Sequence, residues 1–117
     1  MIKHFKESEF QCKCGCGKNN VSTELKIMLD TAREIAGVPF VINSASRCEE
    51  HNAKVGGSKT SSHLAGLAVD IRVSNSSVRY KMLSALLQAG FNRIGIADTF
   101  IHVDVDRNKP AHTIWMY

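Results

Sequence analysis

The stretch Ser61-Ser62-His63-Leu64-Ala65-Gly66-Leu67-Ala68-Val69-Asp70-Ile71-Arg72 decides how this chain is read. Its second half alternates as a strand does, with Val69 and Ile71 on one face and Ala68, Asp70 and Arg72 on the other. The apolar pair belongs in a core. Asp70 is held between those two residues, and a carboxylate there is costly without a cation or hydrogen-bond donors. A metal ion would supply that compensation. Gly66 lets the chain turn, so that His63 can fold back beside Asp70.

Phe100-Ile101-His102-Val103-Asp104-Val105-Asp106 alternates in the same way. Ile101, Val103 and Val105 form the core face, and Phe100, His102, Asp104 and Asp106 the opposite face. His63, Asp70 and His102 would leave a fourth tetrahedral position open, the arrangement of a catalytic rather than a structural zinc. Asp104, two residues from a ligand, could accept a proton from water or hold His102 in its tautomer. Asp98 is the other nearby acid, and its place before the strand is also explained by turn chemistry.

Outward from these motifs, two segments carry helical periodicity. Val21, Leu25, Met28, Leu29, Ala32 and Ile35 make one apolar stripe, Ser22 can cap it, and Gly37 and Pro39 close it, which predicts a helix from about 22 to 36. Val78, Met82, Leu83, Leu86 and Leu87 predict a second from about 76 to 89, capped within Ser74-Asn75-Ser76 and ended by Gly90. Strands are expected at Phe40–Ile42, Ala68–Arg72, Arg93–Ile96, Phe100–Val105 and Thr113–Met116, with residues 55–62 a loop. The expected fold is α+β: a small, mainly antiparallel sheet flanked by two main helices, in one domain spanning 1–117.

With 44% hydrophobic and 22% charged residues, disordered and fibrous classes drop out. No apolar run approaches the ~20 residues of a membrane span. The opening Met-Ile-Lys-His-Phe-Lys-Glu-Ser-Glu-Phe has no apolar core of a secretory signal, so the expected product is cytoplasmic as synthesised. A net charge of +4 suits an anionic partner, or serves solubility alone. The basic residues are dispersed, which argues against a nucleic-acid footprint. Cys12, Cys14, Cys16 and Cys48 lack the paired spacing of zinc ribbons. A second zinc site with Cys48 or His51, a disulfide, and free thiols all remain open.

The wording Ser-x-His-x-x-Gly-x-Ala-x-Asp over Ser61–Asp70 resembles the first zinc motif of the zinc D-alanyl-D-alanine carboxypeptidase family, whose fold is shared with the hedgehog signalling domain. Phe100–Asp104 resembles the second motif of its carboxypeptidase-like branch, which includes phage endolysins. Ile42–Cys48, His51-Asn52 and Gly56-Gly57-Ser58 are similar to the segment preceding the zinc motif, and Phe5–Lys18 to the opening of short phage and prophage members. The resemblance implies that His63, Asp70 and His102 bind one catalytic zinc. It implies that Arg47 contacts the substrate's carboxylate or carbonyl, and that Ser61 donates to a ligand or to substrate. The chain departs from the family in two places. Phe100 stands where several relatives carry the first His of His-x-His, with no Glu just upstream. Ser44-Ala45-Ser46-Arg47 replaces the usual Ser-Gly-Tyr-Arg. The implied activity is zinc-dependent cleavage of peptidoglycan stem peptides by a monomer acting on the cell wall after release or export. Asp104 is preferred over Asp98 as general base because it shares a strand face with His102. The alternative is a zinc-containing, non-catalytic cell-wall binding module.

Overall fold

The amphipathic stripes and strand alternation build two layers in the computed structural model, which describes residues 2–117. Helix α1 spans Thr23–Ala36, with the Ser22 hydroxyl accepting from the Leu25 amide and Gly37 ending it in the left-handed conformation. Helix α3 spans Ser76–Gln88, capped by the Asn75 side chain. The two pack together. Their inner residues, Leu25, Leu29 and Ala32 from α1 and Met82, Ala85 and Leu86 from α3, join Val69, Ile71, Ile94, Ile101 and Val103 of the sheet in one apolar cluster. Both main helices therefore serve the same face of the sheet, which leaves the other face for chemistry.

The sheet comprises β1 (Ile42–Ser44), β2 (Ala68–Arg72), β3 (Arg93–Ile96), β4 (Phe100–Asp104) and β5 (Thr113–Met116), in the order β1-β2-β4-β3-β5. All neighbours are antiparallel except β3 and β5, which run parallel, so the sheet is mixed. The first strand lies later than its apolar run suggests. Phe40 and Ile42 are buried but Val41 is half exposed, and the ladder begins only at Ile42. A short helix, α2 (Glu49–Lys54), has no counterpart in the sequence-based expectation. Its six residues are too few to show a period, and its cap is a thiol, Cys48 Sγ accepting from the His51 amide, rather than one of the usual hydroxyls or carboxamides.

Gly66 turns as expected, with φ +72°. A side chain there would also meet the carbonyl oxygen of Asn20 at 2.0 Å. The left-handed conformation alone disfavours alanine by about 1–2 kcal/mol, and the clash with backbone adds to it. Gly66→Ala is therefore expected to lower stability by ~2 kcal/mol or more, read as a lower urea midpoint at unchanged m-value. An unchanged midpoint would show that the loop relaxes freely.

Candidate metal centre

Register places the first two site residues. On the antiparallel pair β2–β4, Asp70 lies directly opposite His102, with both side chains on the face away from the helices. His63 arrives from the preceding loop, turned back by Gly66. All three are buried, and their ligand atoms lie within 4.8 Å of one another. The structure thus brings together the three residues singled out as metal ligands.

The outer nitrogens of both imidazoles are already committed. His63 Nδ1 lies 2.8 Å from the carbonyl oxygen of Ala45, an acceptor only, so that nitrogen carries the proton and donates. His102 Nε2 donates in the same sense to Asp104 Oδ2, at 2.8 Å. This leaves His63 Nε2 and His102 Nδ1 facing Asp70 Oδ1 at 3.2 and 2.8 Å. Two lone pairs aimed at one carboxylate oxygen repel unless a cation lies between them. Such a centre fits zinc: mixed nitrogen and oxygen donors, with each histidine's second nitrogen tied to a carbonyl or carboxylate.

Burial works to raise the Asp70 pKa, but hydrogen bonds from His102 and His63 outweigh it and hold the carboxyl well below its ordinary range. Burial likewise opposes protonation of His102, yet the hydrogen bonds with Asp104 and Asp70 prevail and raise its pKa. Asp104 follows Asp70: burial pushes up, while His102 and Arg93 hold it down.

Asp104 is 2% exposed, and both its oxygens are engaged. Oδ2 takes His102, while Oδ1 accepts from Arg93 Nε at 2.6 Å and from the Asp106 amide at 3.1 Å. Asp98 is exposed in the β3–β4 turn, where its backbone carbonyl accepts from Arg79; it does not line the cleft over the centre. Arg47 does line it. Its Nε donates to Ser44 Oγ at 3.0 Å and its Nη1 to Asn52 Oδ1 at 3.2 Å, which sets Nη2 3.6 Å from Asp70 Oδ2. Ser61 is also at the cleft, its Oγ accepting from the His63 amide at 3.2 Å.

Sequence reasoning missed three groups. Arg93 fixes Asp104, and its position alternating with Gly95 on the face of His102 was the available signal. Asn52 is buried against Arg47, with Gly57 bare beside it because a side chain there would strike its amide. Trp115 and Tyr117 form an aromatic wall: the Trp115 ring lies 5.5 Å from that of His102, and the Tyr117 ring 5.1 Å from that of Phe100. Gly95, paired with both His102 and Trp115, makes room for this wall, since a side chain there would come within 2.6 Å of Trp115 and of Tyr117. Burial and the charge of Asp70 raise the Tyr117 pKa above its ordinary value.

No helix is long and apolar enough to cross a membrane, among the described residues. No curated protein matches the chain closely. A family model described as Peptidase M15 matches residues 3–104, a span that contains all three candidate metal ligands. The chain belongs to the peptidase M15 family.

Proposed function

We propose that the protein is a zinc peptidase that cleaves peptide bonds in peptidoglycan stem peptides, reaching the cell wall after release or export. The convergence of His63 Nε2, His102 Nδ1 and Asp70, with both outer imidazole nitrogens tied down, carries the reading. When bound there, zinc supplies a Lewis acid that polarises a carbonyl and lowers the pKa of water towards ~7.

The chain's own residues do the rest. Ala45 and Asp104 orient the imidazoles and fix their tautomers. The sequence-based preference for Asp104 as general base gives way to this holding role, because His102, Arg93 and the Asp106 amide already take both of its oxygens. Arg47, aimed by Ser44 and Asn52, presents a planar donor fork to a substrate carboxylate or carbonyl. Ser61 offers a hydroxyl at the cleft edge, Tyr117 lines the same cleft, and the Trp115 ring packs beside His102. The surplus of positive charge favours approach to an anionic wall polymer.

Mass spectrometry of purified peptidoglycan digested with zinc-loaded protein should show shortened stem peptides or released D-alanine. Arg47→Lys should keep fold and zinc but lose the bidentate contact, which is worth roughly 1.5–3 kcal/mol for a charged hydrogen bond, or about 10- to 100-fold in kcat/KM. Muropeptides left unchanged by a zinc-loaded protein that still binds the wall would instead identify a non-catalytic binding module.

A further inference from the structure

The strongest feature outside the catalytic cleft is the cysteine group. Cys12, Cys14 and Cys16 come from the loop after the N-terminal 3₁₀ turn, Glu7–Phe10, and Cys48 from the start of α2. No disulfide joins any of the four, and their sulfurs lie within 4.8 Å of one another. The separations are 3.5 Å for Cys12–Cys14, 3.8 Å for Cys12–Cys48 and 3.7 Å for Cys14–Cys48. A tetrahedron of sulfurs with zinc–sulfur bonds of ~2.3 Å has edges of about 3.8 Å. The three edges of the Cys12–Cys14–Cys48 triangle thus match the spacing that one ion would impose on its ligands.

The surroundings suit thiolates. The Cys48 amide donates to Cys12 Sγ and the His51 amide to Cys48 Sγ, both at 3.4 Å, as expected around metal-bound sulfur. Gly15 and Gly17, at φ +87° and +84°, let the loop reverse so that three alternate cysteines point to one centre. The Cys12 amide closes that loop on the Lys18 carbonyl at 2.8 Å. His51 stands outside the group.

We infer that Cys12, Cys14, Cys16 and Cys48 hold a structural zinc ion, distinct from the one at His63, Asp70 and His102. Four protein ligands leave no open position, so this ion has no catalytic role. Its effect is to staple the N-terminal segment, which carries almost no regular secondary structure, to the chain 36 positions away. Closing a loop of that length in advance stabilises the fold by limiting the unfolded chain. The staple ends at Cys48, the residue after Arg47, whose carbonyl is also gripped by Lys18 Nζ at 3.1 Å. Substrate anchor and metal clamp therefore share one segment.

Cobalt substitution of the full chain tests the inference, because thiolate-to-cobalt charge-transfer absorption reports sulfur ligands alone. The bands are expected in the wild-type protein, should survive His63→Ala, and should be weakened or lost in Cys16→Ser. Zinc content of Cys16→Ser should fall by one equivalent relative to wild type. The catalytic reading stands or falls separately, since its donor set contains no sulfur. Should Cys16→Ser fail to fold, the wild-type cobalt spectrum decides alone. Absent charge-transfer bands in the wild type, or a mass two hydrogens lower in unreduced protein, the mark of a disulfide, would overturn the inference.

Discussion

His63→Ala is expected to remove one zinc equivalent and peptide hydrolysis together. In the proposed centre this residue is one of three protein ligands, at a position only 3% exposed, so neither water nor a neighbouring side chain would replace it readily. Metal-assisted stabilisation of the transition state is worth several kcal/mol. At ~1.36 kcal/mol per decade, its loss should lower the rate by about 10³-fold or more. Elemental analysis and stem-peptide turnover measure the two effects, with circular dichroism verifying the fold. Undiminished zinc content in a folded, inactive variant would show that His63 is not a ligand.

Asp104→Asn should have the second largest effect, and its pattern distinguishes two roles. An orienting carboxylate acts on the metal through His102, so zinc affinity should weaken by ~10–100-fold. The variant should also lose thermal stability, because the nearly buried Arg93 loses its anionic partner. Activity should recover in part at high free zinc. A general base would behave otherwise: zinc affinity unchanged and the rate down by ~10²–10⁴-fold. That outcome would return Asp104 to the base role suggested by strand alternation. Asp98→Asn, altering an exposed turn residue outside the cleft, should leave turnover near normal. Competition with a zinc chelator, followed by kinetics at saturating zinc, separates these outcomes.

Periodicity and caps made much of the fold legible. Helices α1 and α3 were visible in their apolar stripes, and β2, β3 and β5 in their apolar and alternating runs, because these patterns record which face each element buries. The six-residue helix α2 left no such mark. The parallel pairing of β5 with β3 also escaped, since strand order depends on contacts between distant segments rather than on local pattern.

The sequence by itself determined that an aspartate and a histidine would share one face of two core strands, and that Gly66 could return His63 to them. Alternation and the tolerance of glycine for positive φ are local properties of the chain. Only the tertiary structure decided what surrounds Asp104. A lone strand shows that its carboxylate shares a face with His102, but not that Arg93 from the neighbouring strand and the Asp106 amide occupy one oxygen while His102 occupies the other. The same holds for the cysteines. Their spacing left zinc, disulfide and free thiols open, and only the packing of the N-terminal loop against the start of α2 brought four sulfurs within 4.8 Å of one another. Burial, register and cross-strand partners arise from distant segments brought together, and they determine whether a polar residue is a ligand, a support or a base.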